Sequence, residues 1–214
     1  DVVEVYKTLA LFVSLVLLYD GFNVIAGFSK KVGDISLDSL VISLMGNNGN
    51  KNVMAASLLI KFPFALYYIL NSKIAGKVVG IISLFVGVFA LFILNTRSTF
   101  VGLFLILLIF TATTIYFKRK SGLKSILIQL AFFIIPITVA FFSANMVLEN
   151  AVQLQGEQGG YGTVTKRIGD ITVQSEENSR LHLWWAAIDY FKKHPLTGDG
   201  YGNWKLASIP YEKE

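Results

Sequence analysis

Cysteine is absent from the 214 residues, histidine occurs twice, proline four times, and charged side chains make up only 15%. The lack of thiols excludes disulfide frameworks and thiolate metal sites, and it leaves the redox compartment unread. The shortage of charge excludes an ordinary soluble domain, in which about 25% of residues are charged and about 45–50% apolar. Here 54% are hydrophobic and the mean hydropathy is +0.59, an excess that has to face lipid. Missing too are internal repeats, low-complexity tracts and the alternating polarity of barrel strands. The chain starts at Asp1, with no initiator Met and no charged leader ahead of a short apolar stretch and cleavage site. It ends at Tyr211 to Glu214 without closing an element. It is therefore expected to be a piece of a longer protein.

What is present is a series of long apolar runs. A hydrocarbon core of about 30 Å needs about 20 helical residues at about 1.5 Å each. Five stretches qualify, at about Tyr6–Phe28, Val53–Leu70, Val78–Leu94, Phe100–Phe117 and Ile126–Val147. The expected fold class is all-α, a polytopic helical membrane bundle over residues 1–147. Residues 148–214 are expected to form an extracytoplasmic loop carrying an amphipathic helix.

The net charge of +5 is compatible in principle with nucleic acid, but its distribution argues against that partner. Lys118, Arg119, Lys120 and Lys124 crowd one short gap between apolar runs, and Lys73 and Lys77 occupy another with no acid beside them. Basic short connections belong in the cytoplasm. The opposite side then receives residues 29–52, the tight corner at 95–99 and everything after Leu148, where seven bases meet nine acids. The whole is expected in the bacterial inner membrane, with the large loop periplasmic. Within that loop, the glycine-rich stretch Gly156–Gly162 is expected to be flexible. Ser175 is placed to cap a helix over about 176–193, with Glu176 and Glu177 in its first turn and Pro195 beyond its end. Leu181, Trp184, Trp185, Ile188 and Phe191 recur every three or four residues, so this helix is expected to lie along the membrane surface or roof the bundle.

Two ionisable residues fall inside the runs, Asp20 in the first and Lys61 in the second. Each lies eight residues from the same boundary, counted from Phe28 and from Val53, which is about 12 Å of helix. Intramembrane charges pair or face a cavity. The equal depths predict a buried ion pair between neighbouring antiparallel helices.

Arg97 sits in Asn95-Thr96-Arg97-Ser98-Thr99, between two apolar helices. It can be read as an interfacial arginine that snorkels, or as an anion clamp whose planar fork matches phosphate oxygens at any biological pH. Two adjacent helix ends, with Ser98 and Thr99, would add hydroxyl and amide donors. Arg180 opens a spaced pattern, with Trp184 and Ala187 following it, that continues through His194, Pro195, Leu196, Thr197, Gly198, Asp199, Gly200, Tyr201, Gly202, Asn203 and Trp204. Taken singly, these parts have structural explanations: Pro195 stops a helix, the glycines permit a turn, and the tryptophans anchor at an interface.

Taken together, the arrangement resembles the O-antigen ligase family, which also contains O-antigen polymerases and some protein O-oligosaccharyltransferases. Three motifs match in order: Gly49-Asn50-Lys51-Asn52 leading into Ala55 and Ala56, then Thr96-Arg97-Ser98, then the pattern from Arg180 to Gly200. The resemblance covers most of the chain. It implies glycan transfer from an undecaprenyl-diphosphate carrier to a hydroxyl of a lipid core, a growing glycan or a protein, without cofactor or metal. Arg97 and Arg180 would be the catalytic groups on the diphosphate, with Ser98 and Asn52 among the substrate contacts. The family's proposed basic histidine lies further along than this chain reaches. His194 therefore reads as a helix-stop residue, and His182, about 200° round the helix from Arg180, does not share its face. A transporter or flippase for lipid-linked glycan, or a non-catalytic membrane subunit, would use the same arginines without bond formation.

Overall fold

The computed structural model describes residues 2–119, 122–155, 162–169, 177–193 and 195. Its helices are α1 (Val2–Lys31), α2 (Leu37–Ser43), α3 (Lys51–Asn71), α4 (Ile74–Leu94), α5 (Arg97–Lys118), α6 (Leu123–Gln155), α7 (Val164–Gly169) and α8 (Glu177–Lys193), with a 3-10 turn at Gly46–Asn48. There is no strand among the described residues. The five helices α1, α3, α4, α5 and α6 are long and apolar enough to cross a membrane. The protein is an all-α, multi-pass membrane bundle.

The chain forms two compact units, residues 1–168 and 169–214. In the first, α4 is the axial helix, packed by α1, α3 and α6. The reason lies in its small residues. A methyl group built at Gly87 would stand 2.5 Å from Leu17 Cδ1 and 3.1 Å from Phe62 Cε1, so only glycine lets α1 and α3 close on α4 there. At Gly21 of α1 the corresponding methyl would meet the Val86 carbonyl at 3.0 Å. In lipid, where an apolar surface gains nothing by leaving the solvent, close backbone approach is what holds helices together.

The Asp20–Lys61 pair forms as expected. Lys61 Nζ donates to Asp20 Oδ2 at 2.8 Å and to Ser57 Oγ at 2.6 Å, joining α1 to α3.

Three elements differ from expectation. The first helix runs to Lys31, three residues past the apolar stretch, because Lys30 and Lys31 suit a C-terminal turn. Residues 29–52 are not a plain connection. Ser36 caps α2 by accepting the amide of Ser39 at 3.4 Å, and α2 buries Leu37, Leu40 and Val41. The last span continues past Val147 to Gln155, since Leu148 and Ala151 still face the core. In the second unit, α8 is the helix foreseen from Trp184 and its neighbours, and Trp184, Trp185, Ile188 and Phe191 are all exposed. Ser175, Glu176, His194 and residues 197–204 lie outside the described residues.

Candidate functional site

Antiparallel alternation of the five long helices puts the start of α3, the α4–α5 corner and the end of α6 at one end of the bundle. The corner is two residues long. Asn95 adopts the left-handed conformation (φ 52°, ψ 48°) and its amide donates to the Leu91 carbonyl at 3.2 Å, which ends α4. Asparagine tolerates this conformation better than most side chains. Thr96 is extended and α5 begins at Arg97. The hydroxyls of Thr96 and Thr99 are hydrogen-bonded at 2.5 Å, and Thr99 Oγ1 donates to the Thr96 carbonyl at 2.8 Å. Thr99 is buried, and its hydroxyl serves the corner. The expectation that Thr99 would offer its hydroxyl to a ligand is therefore corrected.

Arg97, the first residue of α5, is half-buried, and Ser98 beside it is exposed. Both sit where a 22-residue helix presents its positive end. Phe100, one turn further along the same face, enters a groove of about 290 Å³ between α5 and α6. Phe92, Phe104, Thr138 and Phe141 line it, together with Ile168 from α7. The helix that begins with this cation thus lines a mostly apolar groove from its next turn onward.

The position of α7 was not legible in the sequence. Asn95 Nδ2 donates to the Gly162 carbonyl at 3.3 Å, across 67 residues. Thr165 donates through its amide and its hydroxyl to Asn145 Oδ1 on α6, at 3.2 and 3.1 Å. With Val164 fully buried, these bonds bring Lys166 and Arg167 to the same end of the bundle as Arg97.

Gly49 is also left-handed (φ 67°), and Asn50 caps α3 by accepting the Asn52 amide at 2.7 Å. The motif at 49–52 is thus a helix start, with Asn52 exposed in its first turn. Since α3 packs against α5, Asn52 and Arg97 belong to neighbouring helix starts. Arg180 is on α8, in the second unit; its side chain and that of His182 lie outside what is described.

A family model described as O-Antigen ligase matches residues 82–214, more than half of the chain, from within α4 onward. The chain matches no curated protein and no solved structure.

Proposed function

Because the chain belongs to the O-antigen ligase family, we propose that it transfers a glycan from an undecaprenyl-diphosphate carrier to an acceptor hydroxyl at the Arg97 end of the bundle. The acceptor is a lipid core, a growing glycan or a protein. The observation that carries this reading is a half-buried guanidinium at the start of α5, the helix whose next turn, through Phe100, lines the apolar α5–α6 groove. A polyprenyl diphosphate has that same shape, a dianionic head on an apolar tail.

In the reaction the bond between the sugar's anomeric carbon and the diphosphate oxygen breaks, and a glycosidic bond to the acceptor oxygen forms. The acceptor proton passes to a base, and the diphosphate leaves on its carrier. Charge grows on that leaving group, so fixed donors aimed at it lower the barrier, the more so where water is excluded. Arg97 supplies a fork for two phosphate oxygens and the α5 amides supply dipole. By the family resemblance, Arg180 of α8 is assigned the second guanidinium. Ser98 and Asn52 bind the head group or its first sugar. The charge asymmetry of the loops supports a periplasmic location for this end.

The test is substitution in the full-length protein. Arg97→Ala and Arg180→Ala should each abolish glycan transfer while the protein's level in the membrane is unchanged. Full retained activity in both variants would reject the assignment. Reconstitution with purified donor and acceptor separates transfer from transport, because only an enzyme makes the new glycosidic bond.

A further inference from the structure

At the end of the bundle away from Arg97, a second cavity of about 360 Å³ lies between the α3–α4 connection and the start of α6. Lys77 of α4 and Lys124, Ser125 and Gln129 of α6 contribute its polar lining, and Leu70 and Phe132 its apolar part. Lys77 is half-buried, with its Nζ 5.2 Å from the centroid of the Phe132 ring. The two lysines come from segments 47 residues apart in sequence.

Neither lysine has an acidic partner among the described residues. The acid described at this end of the bundle is Glu4, already bonded to Lys7 at 2.9 Å. The same end also carries Lys73, Lys118 and Arg119, with Arg119 over the Tyr116 ring at 5.0 Å. Two cations therefore share a hollow that no acid among the described residues neutralises, one of them drawn partly into apolar surroundings. The positive end of the 33-residue helix α6 begins at the same rim and adds to the field. Lys77 is one turn inside α4 and Lys124 is the second residue of α6, so the hollow lies at the starts of two apolar spans.

We propose that this cavity is a binding site for an anionic glycerophospholipid. Its phosphodiester sits between Lys77 and Lys124, with Ser125 and Gln129 as further donors, and its first acyl carbons lie on Leu70 and Phe132. Charge complementarity selects a lipid of net negative charge over a zwitterionic one. The half-apolar lining selects a lipid over a free anion. Basic hollows between membrane helices on the cytoplasmic side are suited to such head groups, and the loop charges support that side for this end.

The experiment is native mass spectrometry of the full chain, delipidated in mild detergent and then titrated with phosphatidylglycerol, phosphatidylcholine or inorganic phosphate. Phosphatidylglycerol adducts should exceed phosphatidylcholine adducts by on the order of tenfold to thirtyfold, as two lysines near a membrane surface imply. The Lys77→Gln/Lys124→Gln variant should lose that preference, whereas Lys77→Arg/Lys124→Arg and the opposite-end control Lys30→Gln should keep it. Should the double Gln variant not fold, Lys124→Gln alone, at an exposed position, should lower the preference about threefold to fivefold. Equal retention of both lipids, an equal loss in Lys30→Gln, or displacement of the lipid by millimolar phosphate would overturn the proposal.

Discussion

Removing Asp20 while keeping Lys61 should be one of the most damaging single changes in the bundle. At 2.8 Å the gross attraction of this pair is about 6 kcal/mol for an effective dielectric of about 20. Desolvating the two ions consumes several kcal/mol each, so the intact pair contributes little net stability. A lone charge is another matter, because its desolvation is no longer offset. Breaking a buried pair costs about 3–5 kcal/mol. Here the lower end applies, since Lys61 retains Ser57 Oγ at 2.6 Å and the two side chains keep 15% and 22% of their exposure. We expect Asp20→Leu to cost about 3 kcal/mol and Asp20→Leu/Lys61→Met about 1 kcal/mol or less, a coupling of at least about 2 kcal/mol. The assay is reversible unfolding in mixed detergent–SDS micelles, read by pulse proteolysis on the wild type, both single variants and the double. A coupling below about 0.5 kcal/mol, near the average of polar pairs between membrane helices, would refute the reasoning.

Arg97→Lys keeps the charge and loses the fork. It should lower kcat/KM for glycan transfer about a hundredfold at unchanged membrane level, and equal activity of the two forms would show that a point charge suffices. Gly87→Leu drives a side chain into Leu17 and Phe62 and should cost about 1–3 kcal/mol in the same unfolding assay, with Gly87→Ala intermediate. Asn95→Ala combines backbone strain at φ 52° with loss of the bond to Gly162, about 2 kcal/mol together, whereas Asn95→Gly loses the bond alone and should cost about half as much. Asn50→Ala removes the cap of α3 and should cost about 1 kcal/mol, with little effect on transfer measured at permissive temperature.

Some of this was legible from a single sequence, and the reason is the solvent. A span has to satisfy its own backbone and present apolar side chains for about 20 residues, so length and hydropathy located all five long helices. Asp20 and Lys61 stood out because charge inside such a run is rare and needs a partner. The same uniformity hid the packing. Lipid-facing and core-facing residues are both apolar, so α4 carries no polar face to show which side meets α1, α3 and α6. Gly87 and Gly80 mark the contact only once Leu17, Phe62 and Ile69 are seen against them.

The site divides in the same way. Arg97 was recognisable as a cation confined to a corner, and Gly49, Asn50 and Asn52 as a local motif whose capping bonds span two residues. Thr99, which offers a hydroxyl when read in sequence, spends it on Thr96 in the folded corner.

By itself, then, the order of residues determined the number of long helices, the ends at which bases gather, the intramembrane ion pair and the family resemblance. The helices and basic gaps follow from local composition, and the ion pair from two isolated charges at matching depths in neighbouring apolar runs. The tertiary structure alone decided that α4 is the axis, that Asn95 and Asn145 tie α7 to the Arg97 end, and that Lys77 and Lys124 share one cavity. Those contacts join segments 20 to 67 residues apart, and bonds between distant segments leave no periodicity in the chain that makes them.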